Sequence, residues 1–185
     1  MKTLLIALLL IAGRAHATLI DLHNGLVYDS IDGIAWTQNA NLSPFSTWDG
    51  IQTWGSSVTV AGLTGFRVAS LNEYLNLYRQ LDGLGVCRDL PVGLSECTGN
   101  VGPFTNIQSE YWSSTGTIQP GFAWFFPFQD GLFTVENKSF QLAGWAVVPF
   151  AIPEPSSWLL LLAGLALWAF TLRPRLQSLN ILRHI

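Results

Sequence analysis

Charged side chains make up only 11% of these 185 residues, less than half of the roughly 25% found in an average soluble domain. Histidine is rarer still. His16 and His184 lie in the terminal segments, which leaves His23 as the one imidazole in the middle of the chain. A Ser-His-Asp or Cys-His nucleophile would have to be built on that residue, and no supporting motif surrounds it. Two cysteines without a cluster of nitrogen or oxygen ligands do not make a zinc site, and no glycine-rich phosphate loop is present. Asp29, Asp32 and Asp130 do not form the dense oxygen-ligand loop that calcium requires, and they read as turn formers. The expectation is a non-enzymatic protein with no catalytic residue, cofactor or metal.

The few charges are sorted by position. All 12 acidic residues fall between Asp21 and Glu154, where Arg67, Arg79, Arg88 and Lys138 are the only bases, so four cations face 12 carboxylates and this stretch carries −8. The other five bases lie towards the two ends. An acidic middle repels phosphate backbones, which excludes nucleic acid as a partner. The two cysteines, Cys87 and Cys97, stand ten positions apart in a Gly/Pro-rich stretch. In an exported protein this spacing favours a local structural disulfide over a metal site or a redox pair.

Apolar runs are confined to the ends. Lys2 is followed by the nine apolar residues Leu4–Ala12 and by Ala15-His16-Ala17, the layout of a secretory signal peptide cleaved after Ala17. Nine residues reach only about 14 Å as a helix, too short to span a bilayer. Near the other end, residues 157–172 contain no charge. As a helix they reach about 24 Å against a hydrocarbon core of about 30 Å, a gap that mild thinning of the bilayer closes. Trp158 would sit at one interface, and Arg173 and Arg175 would hold the C-terminal side in the cytoplasm. A single-pass transmembrane anchor is therefore expected.

Immediately before that run stands Pro153-Glu154-Pro155, where either proline interrupts regular structure. The tripeptide, the apolar run and the basic stop together resemble the PEP-CTERM sorting signal over residues 152–175. The resemblance implies recognition by an exosortase-type membrane protease in a Gram-negative, exopolysaccharide-producing bacterium, with the domain displayed on or released at the cell surface. Residues 176–185 continue past the basic stop. Leu176, Leu179, Leu182 and Ile185 recur every three positions, so this tail is either weakly amphipathic on the inner leaflet or an appendage without a role.

Between the ends, residues 18–151 are rich in Gly, Trp and Phe, a composition that reads as short strands with about two helices, an α+β domain. Leu26–Asp29 and Ile34–Thr37 form an expected hairpin around Asp32-Gly33. Ser43-Pro44 resembles a helix start, with Phe45, Trp48 and Ile51 following at helical spacing. Ser70-Leu71-Asn72-Glu73 is a capping box. Behind it Leu71, Tyr74, Leu75, Tyr78 and Leu81 mark a helical face that Gly83 terminates. Capping accounts for Glu73, so it is not taken as a catalytic acid. Later strands are expected at Tyr111–Ser114, Phe122–Phe128, Leu132–Glu136 and Gly144–Val148, with a turn at Asp130-Gly131 and an edge or bulge at Pro127. Residues 83–106 read as a long loop.

Several of these phrases together resemble the Lcl C-terminal domain, the DUF1566 family. They are Gly25-Leu26-Val27-Tyr28-Asp29 with Gly33-Ile34-Ala35-Trp36, Gly65-Phe66-Arg67 through Leu71-Asn72-Glu73-Tyr74, Tyr111-Trp112-Ser113-Ser114-Thr115, Ala123-Trp124 with Asp130-Gly131, and Gly144-Trp145-Ala146-Val147. Phe66, Val68-Ala69 and Val148 depart from the family pattern. The resemblance implies a C-type-lectin-like fold, which is also similar to that of formylglycine-generating enzymes. Their activity needs a reactive cysteine pair and a metal, a context absent around Cys87 and Cys97.

Among the tryptophans, strand-borne Trp36, Trp112 and Trp145 read as core. Trp54, in Trp54-Gly55-Ser56-Ser57, is the candidate ligand contact because exposed indoles stack on sugar rings or protein anchors. The functional expectation is a surface module that binds polysaccharide or protein in the extracellular matrix. The alternatives are a purely structural surface protein and a hydrolase or modifying enzyme on the same fold.

Overall fold

Alternation of apolar residues with turn formers near the N-terminus produces the first sheet, and a capping box sets the helix that closes over it. The computed structural model describes residues 19–91 and 93–151, together with Gly164. The signal peptide (1–17), the sorting motif Pro153-Glu154-Pro155, the remainder of the apolar run 157–172 and the tail 176–185 lie outside the described residues. Among the described residues no helix is long and apolar enough to cross a membrane.

The element order is β1 (Leu19–Asp21), β2 (Leu26–Asp29), β3 (Ile34–Thr37), α1 (Trp48–Ser57), β4 (Arg67–Val68), α2 (Leu71–Gly83), β5 (Arg88–Asp89), β6 (Ser95–Glu96), β7 (Gly99–Val101), β8 (Phe104–Ile107), β9 (Glu110–Gly116), β10 (Phe122–Pro127), β11 (Thr134–Asn137) and β12 (Ala146–Pro149). This is an α+β domain with two helices and short antiparallel strands. A five-stranded sheet runs β1-β2-β3-β12-β4 and a three-stranded sheet runs β11-β10-β9. Because β12 pairs with β3 in the register Val147↔Trp36, the last strand closes the sheet that the first strands opened.

The hairpin β2–β3 forms at the expected residues. Gly33 at φ +64° makes the turn, and its amide donates to the Asp29 carbonyl. Helix α2 begins at the expected capping box: Ser70 Oγ accepts from the Glu73 amide at 3.4 Å while the Glu73 carboxylate accepts from the Ser70 amide at 2.6 Å. Its inward face is Tyr74, Leu77 and Leu81, all fully buried, with Leu71, Leu75 and Tyr78 flanking. Gly83 is the last helical residue, and the left-handed position that ends the turn is Gly85 at φ +67°.

Three expectations are corrected. The first helix starts at Trp48 with Thr47 as its cap, not at Ser43-Pro44. The Ser43 hydroxyl instead accepts from the Gly144 amide at 2.8 Å, and Ser46 pairs its backbone with Leu142. Long-range partners consumed the groups that a local cap would have used. Residues 83–106 are not a plain loop, since they hold two small ladders, β5–β6 and β7–β8. Pro127 lies at the end of the central strand of its sheet. It is tolerated because β11 pairs with β10 only as far as Phe125↔Thr134, so no β11 residue needs an amide hydrogen from Pro127, whose carbonyl accepts from the Gly131 amide. The irregularity in this strand lies between Ala123 and Phe125.

The core is unusually aromatic. Trp36, Trp112 and Trp145 are fully buried, as expected. Trp145 meets Phe104, Trp36, Tyr111 and Phe128 with ring centroids 5.0–5.6 Å apart, and its indole donates to the Thr37 carbonyl at 2.8 Å. Such edge and tilted pairs contribute roughly 0.5–1.5 kcal/mol each beyond the area they bury. Burial holds the Tyr74 and Tyr111 hydroxyls well above the usual phenol range. Tyr74 Oη accepts from the Trp145 amide, tying α2 to the segment that enters β12, and Tyr111 Oη donates to the Ala40 carbonyl, tying β9 to the segment that leaves β3.

Candidate functional site

The cysteine region carries the most distinctive local architecture. Cys87 and Cys97 are joined, with Cα atoms 4.6 Å apart, and Cys97 is fully buried. Strand β5 follows the first cysteine and β6 precedes the second, and they pair Arg88↔Glu96 and Asp89↔Ser95 inside the loop that the disulfide closes. The hairpin is moored to α2 at its base: Ser95 donates its hydroxyl to Asp82, and its carbonyl accepts from Tyr78 Oη at 2.6 Å. The Cys97 amide donates to the Phe128 carbonyl at 2.8 Å. Both cysteine side chains face the aromatic core.

Strand geometry then dictates where their neighbours go. Side chains alternate across an extended chain, so residues on either side of an inward cysteine point outward. Val86, Arg88, Glu96 and Thr98 do so, and with Asn100 and Val101 they line an open cleft of about 300 Å³. Arg88 Nη2 lies 2.6 Å from Glu96 Oε2, and Thr98 Oγ1 donates to Glu96 Oε1 at 2.8 Å. Asn100 accepts the Asn106 amide at 3.0 Å through Oδ1. The expectation named only the two cysteines here. Their flanking positions were readable by alternation once the cysteines were paired, whereas Asn100 arrives from the next hairpin and had no local signal.

The other candidates are placed differently. Trp54 is half-buried. It bridges two apolar clusters, one around Phe66 and Ala146 and the other around Ile51 and Trp112, and its ring lies 3.2 Å from where a Cβ on Gly144 would stand. Packing therefore engages much of the indole that exposure was expected to offer. His23 sits between β1 and β2 at φ +56°, exposed, with Nδ1 3.5 Å from the Asp21 carboxylate. Asp29 is fully buried and accepts from the Ile31 amide at 2.9 Å and from Gln80 at 2.9 Å. Asp130 accepts from the Leu132 amide in its turn. Asp32 accepts from Asn76 at 2.9 Å, and its carboxyl is raised above the ordinary value, chiefly by burial, with the nearby Asp29 and Glu73 adding to the effect. Among the described residues no group of three or more His, Cys, Asp or Glu side chains is placed to hold a metal ion.

Glu73 is committed twice. Besides the cap, its carboxylate receives both Arg67 Nη atoms at 2.8 and 2.5 Å. Burial pushes its pKa upward, but the Arg67 bond and the two Ser70 bonds outweigh it and hold the carboxyl below its ordinary value.

The described domain is held by its own contacts as far as Phe150. The Phe150 amide donates to the Gly33 carbonyl at 3.0 Å, and the Phe150 ring packs 5.9 Å from Tyr28. Residues 151–175, starting directly after Phe150, match the PEP-CTERM protein-sorting motif. This motif marks an exosortase-targeted protein exported to the cell envelope or surface, and implies exosortase processing and membrane anchoring. No curated protein matches the chain.

Proposed function

We propose that residues 18–151 form a non-catalytic binding or structural module of the extracellular matrix, delivered by a signal peptide at 1–17 and presented at the surface through the sorting signal. The sorting-motif match at 151–175 carries the reading, because a protein handled by an exosortase works outside the cytoplasm. The disulfide suits that oxidising setting. The groups with chemical potential already serve the fold: Glu73 caps α2 and binds Arg67, Asp29 and Asp130 hold turns, and both cysteines are bonded to each other. The resemblance to the Lcl C-terminal family and its lectin-like fold belongs to the same proposal. It is supported by the two helices, the short antiparallel strands and the presence of the first and last strands in one sheet.

The direct test is retention of the full chain, purified in detergent, on matrix isolated from the source cells. Saturable retention that survives washing supports the binding module. Passage without retention, with the protein still folded by near-ultraviolet circular dichroism, leaves only the structural form of the proposal.

A further inference from the structure

We infer that the cleft flanking the Cys87–Cys97 bridge is a binding subsite for a neutral saccharide, assembled by the disulfide. The inference rests on the reading of the domain as a matrix-binding module and adds a place and a ligand class to it.

The cleft is small and open, at the lower bound of the roughly 300–1,000 Å³ typical of ligand pockets. Its walls mix hydrogen-bonding groups of every kind with two apolar patches, Val86 and Val101. Glu96 offers a planar acceptor whose oxygens are already oriented by Arg88 and Thr98. Arg88 is three-quarters exposed and uses one nitrogen on Glu96, leaving the rest of its fork of donors open. Asn100 spends its oxygen on the Asn106 amide, and its Nδ2 donates to no described residue. Paired hydroxyls on a sugar ring both donate and accept, and they match a carboxylate, an amide and a guanidinium held within one cleft. The apolar faces of the ring suit the two valines.

Charge selects among sugars. Arg88 and Glu96 neutralise each other, so the cleft itself attracts neither sign. The described residues 19–151 hold four cationic and eleven carboxylate side chains, a net −7 with His23 neutral, which repels a polyuronate or sulfated chain. A cationic amino sugar finds no unpaired carboxylate in the cleft, because Glu96 is taken by Arg88 and Thr98, so a neutral ligand fits best.

The disulfide is structural to the cleft. Four of its six lining residues are the immediate neighbours of the two cysteines. The bridge turns both cysteines inward together and so turns their neighbours outward together. Opening it leaves the two-residue ladder β5–β6 to hold Arg88 against Glu96.

The test titrates the full chain in detergent, disulfide intact, with neutral tetrasaccharides of glucose, galactose and mannose and with a uronic-acid tetrasaccharide. Saturation-transfer NMR and calorimetry provide the readouts. At least one neutral tetrasaccharide is expected to bind at least tenfold tighter than the uronic one. Glu96→Gln and Asn100→Ala are each expected to weaken it tenfold or more, and the double Cys87→Ser/Cys97→Ser change to abolish it. Equal binding by folded Glu96→Gln and Asn100→Ala proteins, preference for the uronic acid, or no binding of any neutral tetrasaccharide overturns the inference. If the chain is still retained on isolated matrix in that case, the cleft assignment falls and the binding-module reading stands. If it is not retained, the binding reading falls as well.

Discussion

Glu73 shows how one side chain can be half legible. Its place in a capping box is written in four consecutive residues, and the box forms as expected. Its second partner, Arg67, comes from β4 across a turn, and no local spacing announces the pair. The consequence is a pH dependence with a defined sign. A carboxyl held below its ordinary value contributes stability that is complete above its unfolded pKa and is lost as pH falls through the folded one. Asp32 works oppositely. Its raised carboxyl costs stability when ionised, so protonation on the way down relieves the fold. Urea midpoints followed from neutral pH down through the carboxylate range should fall less steeply for Glu73→Gln than for the parent, and more steeply for Asp32→Asn. Identical slopes for all three proteins would contradict both assignments. Trp145 is a second residue-scale case. Its burial was expected from strand position, but its contacts with four rings could not be, since they come from four separate segments. Trp145→Ala should cost about 3–5 kcal/mol by denaturant unfolding, and a loss under 1 kcal/mol (roughly the value of one aromatic pair) would show that the ring cluster does not act as a unit.

At the scale of elements, the second helix and the first hairpin were readable because their signals are local: a cap, a periodic face and a turn glycine. The first helix was misplaced because Ser43-Pro44 carries the same local signal while a distant partner, Gly144, claims the serine. Helix α1 also offers a test in which tertiary contact reverses propensity. Gly55 lies within it, where alanine would ordinarily gain roughly 0.5–1 kcal/mol. A Cβ there would stand 2.8 Å from Val68 Cγ2 and 2.9 Å from the Val68 backbone nitrogen, so Gly55→Ala should instead lose about 1–3 kcal/mol in urea unfolding. A stabilised variant would mean that α1 does not press on β4. The 83–106 segment was read as a loop because its strands are two to four residues long and lack alternation sufficient to declare themselves. Breaking its disulfide with Cys87→Ser/Cys97→Ser should cost about 2–4 kcal/mol by the chain-entropy argument. In hydrogen exchange, the loss of protection should concentrate at the β5–β6 amides while the α2 amides stay protected.

For the whole molecule, the ends and the middle speak in different languages. The sorting signal is compositional: a tripeptide, an apolar run and a basic stop, legible without any fold and matched independently at 151–175. The proposed binding cleft, in contrast, is assembled by topology. The cleft needs β5, β6 and β7 together, so its side chains are scattered from Val86 to Val101 with nothing in the sequence to distinguish them. The same topology relocates Trp54 from an expected open surface to a wedge between α1 and the strand that ends the domain. Trp54→Ala should therefore cost about 2–4 kcal/mol in unfolding free energy, a fall in thermal midpoint of roughly 10 °C, while leaving retention on isolated matrix unchanged in the protein that remains folded. Lost retention without lost stability would restore it as a ligand contact. Export, anchoring and disulfide formation converge on one population of molecules, and the mass of the protein recovered from the outer surface of intact source cells reads all three at once. The account expects a chain beginning at Thr18, shortened within the 151–175 segment, whose cysteines resist alkylation until reduced. A chain found only in the cytosol, beginning at Met1, with the whole C-terminal segment and two free thiols, would contradict it.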